Sequence, residues 1–168
     1  MPRVFVGIGS NINRKANISL GLTALRSEFG ELMRSPVYDT QALGFNGDNF
    51  YNLVVSFQTN LPVTEVSHRL TEIENRYQHS QTNKAKFRSR SLDLDLLLYG
   101  DLILEAGEFK LPRSDVYERA YVLKPLLDLC PDLRDPVSGK AFSEIWNTLQ
   151  HKQDTSKILE QVVLSDVE

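Results

Sequence analysis

Two aspartates separated by one residue, Asp93-Leu94-Asp95, are the sharpest chemical signal in the chain. On a strand running from Leu92 to Tyr99, residues two apart project from one face, so the carboxylates stand side by side while Leu92, Leu94, Leu96 and Leu98 face a core. Like charges held that close repel unless a cation stands with them. Mg²⁺ suits the pair, because it takes one or two carboxylates and completes its octahedron with water and phosphate oxygens. The competing account is two solvated charges on an edge strand; a leucine-rich run disfavours an edge and so favours the metal. Just upstream, Lys84, Lys86, Arg88 and Arg90 place four cations in seven residues. Taken alone they are a solvated surface. Beside two carboxylates they can hold a metal-bridged polyphosphate, and phosphoryl-type transfer asks little more of a protein than positioning and charge neutralisation.

Phe50 and Asn52 share one face of a further strand, opposite Leu53. An aromatic plate beside an amide suits a flat heterocycle with donors and acceptors on its edge; a half-buried aromatic near a turn is the plainer account. Gly9-Ser10-Asn11 lacks the spacing of a phosphate-binding glycine motif and reads as a turn. His68, His79 and His151 have no metal-ligand spacing. No Gly-x-Ser-x-Gly elbow or Cys/His pair supports acyl transfer, and Cys130, between Leu129 and Pro131, reads as a packed thiol.

The elements that must position these residues follow from periodicity. Val4, Val6 and Ile8 alternate as a short strand ending at Gly9. Ile18, Leu22, Leu25 and Phe29 form one helical stripe, closed by Gly30. Met33 to Thr40 reads as a strand, Gln41 to Asn49 as a loop and Phe50 to Thr59 as a strand. Pro62 opens a helix marked by Val66, Leu70, Ile73 and Tyr77. Gln78 to Arg90 has no apolar period and reads as a long exposed loop, a kind more often functional than idle. After the acidic strand, Gly100-Asp101 and Ala106-Gly107 flank a small hairpin, and Tyr121 to Leu129 and Phe142 to Leu149 read as short helices. The order βαββαβ predicts an α+β, ferredoxin-like sandwich with an added C-terminal hairpin and short helices. Its helices would cover one sheet face and leave the other for ligand.

The 168 residues suit one domain, placed at 1–150 with a tail at 151–168. A net charge of −3 argues against a nucleic-acid binder. The N-terminus reads as a strand, not a signal peptide, and no run approaches the roughly 20 apolar residues of a membrane span. One cysteine cannot form an internal disulfide. These features predict a cytoplasmic protein, a monomer or weak homodimer, with neither nucleic acid nor membrane as partner.

Arg90-Ser91-Leu92-Asp93-Leu94-Asp95-Leu96-Leu97-Leu98-Tyr99-Gly100 resembles the signature R-x-L-D-L-D-I-L-x-x-G of the 6-hydroxymethyl-7,8-dihydropterin pyrophosphokinases. Gly7-Ile8-Gly9-Ser10-Asn11 resembles that family's start, Tyr38, Thr40, Leu43 and Gly44 its pterin loop, and Phe50 with Asn52 its Tyr/Phe-x-Asn. Leu111-Pro112 and Arg119-Ala120-Tyr121-Val122-Leu123-Lys124-Pro125-Leu126 are similar to its later block. The likeness runs in order over residues 3 to 148. It implies a ferredoxin-like fold and an enzyme of folate biosynthesis, using ATP, the pterin and two Mg²⁺ ions. It also implies roles. Asp93 and Asp95 would hold the metals, and Arg90 would act with them at the reacting groups. Phe50 and Tyr121 would sandwich the pterin, Phe87 would close over it, and Asn52 with backbone groups near Thr40 and Leu43 would bond its edge. Glu74, Lys84, Lys86, Arg88, Arg113 and Arg119 would serve ATP.

Several positions depart from the pattern. Where the family reads W-G-P-R, this chain has Phe87-Arg88-Ser89-Arg90, which changes how the loop bends. Where the family has His-Tyr after Leu-Pro, this chain has Arg113 and Ser114. Arg113 and the lysines would then meet phosphate differently, although a lysine is not an arginine fork. The alternative to a working pyrophosphokinase is a divergent paralogue that binds a pterin or related heterocycle with altered or absent ATP-dependent activity.

Overall fold

A computed structural model describes residues 1–42, 46–78, 91–107, 109–153, 155 and 160–162. Its main sheet is built from β1 (Arg3–Ser10), β2 (Met33–Arg34), β3 (Val37–Thr40), β4 (Phe50–Gln58), β5 (Asp93–Tyr99) and β8 (Glu160–Val162), with β6 (Leu104–Ala106) and β7 (Phe109–Leu111) as a separate hairpin. The helices are α1 (Arg14–Phe29), α2 (Val63–Tyr77), α3 (Asp115–Glu118), α4 (Ala120–Leu129) and α5 (Phe142–Lys152). The sheet order is β5-β1-β4-β3-β8, with β1 antiparallel to both β4 and β5. The βαββαβ order of the sequence thus folds into the expected ferredoxin-like arrangement.

Alternation explains the two-sided core. Val4, Val6, Ile8, Leu53, Val55 and Phe57 turn to the face covered by α1 and α2, which bring Ile18, Leu22, Leu25, Val66, Leu70 and Ile73. Phe5, Val54 and Leu97 turn to the other face, where α3, α4 and α5 contribute Val116, Leu123, Leu126, Phe142 and Leu149. The second face is therefore not left bare, as the strand pattern predicts. Helices cover part of it, and among the described residues Asp93, Asp95, Phe50 and Asn52 on that face stay half-buried.

Other expectations are corrected in detail. β1 runs on through Gly9 to Ser10 instead of stopping at a glycine turn. The segment Met33 to Thr40 is two strands, because Pro36 has no N–H to offer a ladder and Ser35 substitutes, its hydroxyl accepting from the Val54 N–H at 2.9 Å. The acidic strand β5 is an edge strand. Its leucines are buried nonetheless, since α2 and the segment after β7 close the open side: Gln78 Nε2 donates to the Leu92 carbonyl, Leu94 N–H donates to Glu74 at 3.2 Å and Arg113 N–H donates to the Leu97 carbonyl at 3.0 Å. A bulge opposite Phe5/Val6 breaks the alternation, so Leu98 joins Leu97 on the second face instead of following Leu94 and Leu96. Part of the polar tail adds to the sheet, Val162 pairing with Val37 and Gln161 with Tyr38.

Candidate active site

Register across four strands assembles the site. Asp93 lies opposite Gly9, Gly9 opposite Asn52, and Asn52 opposite Tyr38. The next row is Asp95, Gly7 and Val54. Neighbouring strands are about 4.8 Å apart, so one face presents the acid pair and the Asn52 amide roughly 10 Å from each other. Gly9 forms the floor between them. A Cβ there would stand 2.9 Å from Asn52 Oδ1, so the amide occupies space that only a glycine leaves open.

On the amide side, Asn52 Nδ2 donates to Thr40 Oγ1 at 2.6 Å, and Thr40 is buried and pairs in register with Phe50. That bond fixes the amide's orientation and leaves Oδ1 toward Gly9. Phe50, Asn52 and Thr40, three of the residues expected to hold a heterocycle, are thus brought together by the β3–β4 pairing. Tyr121, at the start of α4, lies near the acids. Its phenol is pushed up to about 12, by burial first and then by Asp115, with Asp95 and Asp93 adding and Arg119 opposing. Arg119 precedes α4 as its N-cap residue. α4 is anchored at its far end, where the Tyr38 hydroxyl donates to Asp128 and Lys124 pairs with the same carboxylate at 2.8 Å.

On the acid side, Arg113 Nη2 stands 3.5 Å from Asp95 and its Nε bonds Asp115 at 2.9 Å. Burial works against the guanidinium's charge, but Asp95, Asp115 and Asp93 outweigh it and hold its pKa above the ordinary value. Glu74, from α2, adds a third carboxyl. Burial, then the charge of Asp93 and a hydrogen bond to it, push Glu74 up to about 9, against the stabilising Leu94 N–H. Its protonated form is therefore favoured well above the usual carboxylate range, and it hydrogen-bonds Asp93, a relation the sequence pattern does not reveal. Among the described residues no set of three or more acids, histidines or cysteines encloses a metal ion. The donor set that remains, two carboxylates on one strand face, fits Mg²⁺, which leaves its other positions to water and phosphate.

Leu43, Lys84, Lys86, Phe87, Arg88, Arg90 and His79 lie outside the described residues. His68 is exposed beside Glu72. Sequence reasoning missed Ser10, Asp115 and the close approach at Gly9. Ser10 is buried and donates to the Ser91 carbonyl at 2.6 Å, tying β1 to the start of β5. Asp115 orients Arg113. Glycines at both positions 7 and 9 of a central strand were the available signal for a close approach.

The family profile described as 7,8-dihydro-6-hydroxymethylpterin-pyrophosphokinase (HPPK) matches residues 5–131. This chain belongs to that family. The 2-amino-4-hydroxy-6-hydroxymethyldihydropteridine pyrophosphokinase of Pseudomonas aeruginosa is 35% identical over 149 residues, covering 86% of this chain and 90% of the relative. The enzyme of the same name from Aquifex aeolicus is 30% identical over 146 residues, again covering 86% and 90%. Among solved HPPK structures, the wild-type HPPK-DHPS of Plasmodium falciparum with SDX-DHP superposes with a TM-score of 0.75 at 13% identity, a likeness of fold. That match covers 98% of this chain but 48% of the fused one, so the chain spans about half of the HPPK-DHPS polypeptide. Among the described residues no helix is long and apolar enough to cross a membrane.

Proposed function

We propose that this HPPK-family chain transfers pyrophosphate from ATP to the hydroxymethyl group of 6-hydroxymethyl-7,8-dihydropterin in folate biosynthesis. The hydroxymethyl oxygen bonds to the β-phosphorus, the bond from that phosphorus to the α–β bridging oxygen breaks, and AMP leaves with the oxygen. The observation that supports this reading is the row Asp93–Gly9–Asn52, which sets an acid pair and the Asn52 amide on one face at a separation suited to two substrates meeting end to end.

Asp93 and Asp95 hold Mg²⁺, with two ions expected, and the metal supplies charge neutralisation on the triphosphate. Glu74, which burial and Asp93 push toward its protonated form in the metal-free protein, hydrogen-bonds Asp93 from the α2 side. Arg113 takes the phosphate-facing role beside Asp95, with Lys84, Lys86, Arg88, Arg90 and Arg119 as further cations toward ATP. Asn52 bonds the pterin edge with backbone groups near Thr40 and Leu43. Phe50 and Tyr121 stack on its faces and Phe87 covers it. The partners are these small molecules. Cys130 carries no disulfide, which suits the reducing cytoplasm where we place the enzyme.

A copy that binds pterin without turnover is not favoured, because the acid pair and its arginine are assembled together. The test is AMP release from ATP, Mg²⁺ and 6-hydroxymethyl-7,8-dihydropterin, resolved by chromatography. Turnover that vanishes in Asp95→Ala supports the reading; absence of AMP above background in the unsubstituted protein refutes it.

A further inference from the structure

We propose that Arg14 is a positioning residue for pterin binding, acting on the back of the strand pair whose front carries the pocket. This inference rests on the reading above. The first turn of α1 is a poor place for cations, since the partial positive charge of a helix N-terminus repels them. Yet α1 begins Arg14-Lys15 with no acid in its first turn, and its N-cap, Asn13, sits in the left-handed region at φ 42° with no side-chain cap. A local rule broken without local gain points to a role elsewhere.

The contacts of Arg14 say where. Nη1 stands 3.3 Å from Asp39 Oδ2 and donates to the Asn49 carbonyl at 3.2 Å, while the guanidinium carbon lies 3.8 Å from the centroid of the Tyr51 ring. Each partner is interleaved with a pocket residue: Asp39 precedes Thr40, Asn49 precedes Phe50, and Tyr51 separates Phe50 from Asn52. Asp39 and Tyr51 pair in register, and side chains alternate across a strand, so both face away from Thr40, Phe50 and Asn52. Asn11 Nδ2, just after β1, donates to the Asp48 carbonyl at 3.2 Å and ties the same segment. Asp39 Oδ1 is buried and has no hydrogen-bond partner among the described residues, where Arg14 carries the compensation of this carboxylate. One planar fork thus clamps the ends of β3 and β4 together from behind. It fixes the distance between Thr40 and Asn52 without touching substrate.

Three variants test this: Arg14→Met, Arg14→Lys, and Arg14→Met combined with Asp39→Asn. The combined variant removes the clamp without leaving an uncompensated carboxylate, so it carries the test if Arg14→Met alone fails to fold. Steady-state KM is measured separately for pterin and for ATP. Loss of the clamp raises pterin KM about 10-fold or more while ATP KM and kcat move less than about 3-fold. Lysine, a point charge without a fork or a plane, recovers only part. The proposal is overturned if pterin KM stays at the unsubstituted value, if ATP KM rises equally, or if the combined variant regains normal pterin KM. If the unsubstituted chain releases no AMP, the proposed activity fails by itself. Calorimetric titration of pterin with Mg²⁺ and a non-hydrolysable ATP analogue then still decides whether Arg14 governs pterin affinity.

Discussion

Replacing Gly9 with alanine perturbs the site at a known atom. The added Cβ would stand 2.9 Å from Asn52 Oδ1 and 3.7 Å from Phe50 Cδ1. Ordinary contact requires the amide to retreat by about 0.5 Å, the tolerance within which binding groups must be held. Asn52 cannot retreat freely, because Thr40 Oγ1 grips its other end at 2.6 Å. Overpacking of this kind costs about 1–3 kcal/mol, and each 1.4 kcal/mol is tenfold, so pterin kcat/KM should fall roughly 5- to 150-fold. Gly7→Ala is the internal control: its Cβ meets only the Leu97 side chain, at an ordinary 3.6 Å, and it should leave pterin KM within about 3-fold. The route of the effect is read from a double-mutant cycle. In an Asn52→Ala background the clashing oxygen is gone, so Gly9→Ala should add little further loss. The assays are steady-state kinetics with pterin varied and a thermal melt for each variant. If Gly9→Ala keeps normal pterin kcat/KM, or loses as much with Asn52 absent as with it present, the reasoning is wrong.

Asp95→Ala should abolish Mg²⁺-dependent AMP release while pterin affinity, measured by calorimetry, changes less than about 3-fold; collapse of pterin binding with turnover intact would remove the metal assignment. Glu74 makes the metal-free protein pH-sensitive. Its folded value of about 9 exceeds the ordinary 4.5, so the folded state holds the proton more tightly, and the stability it contributes is full below 4.5 and lost as pH rises toward 9. Melts in chelator at pH 5, 7 and 9 should show that decline, and Glu74→Gln should flatten it; an unchanged slope would contradict the burial assigned to this carboxyl. Ser10→Ala leaves the buried Ser91 carbonyl without its 2.6 Å donor. It should destabilise the fold by about 1–3 kcal/mol in urea titrations, and a variant as stable as the parent would show that water replaces the hydroxyl.

The strands and helices could be read from local periodicity because burial imposes it residue by residue. The stripe Ile18, Leu22, Leu25 and Phe29 and the alternation of Leu53, Val55 and Phe57 mark their elements without knowledge of any neighbour. Where contacts from afar decide, reading from sequence failed. The leucines of β5 suggested an interior strand, yet β5 lies on an edge whose open groups are satisfied by Glu74, Gln78 and Arg113 from other elements. A bulge set by pairing with β1 turns Leu98 to the second face, which no two-residue period predicts.

The site divides in the same way. The sequence by itself determined that Asp93 and Asp95 share a face of their strand, that Phe50 and Asn52 share a face of theirs, and that the chain carries the family's motifs. Each of these depends on spacing along one strand. Only the tertiary structure decided that Gly9 is the floor between them, that Glu74 is buried beside Asp93, that Arg113 meets Asp95, and that Arg14 meets Asp39 behind the β3–β4 pair. Those relations join residues tens of positions apart. They are set by strand register and by the desolvation that packing imposes, neither of which a local pattern contains.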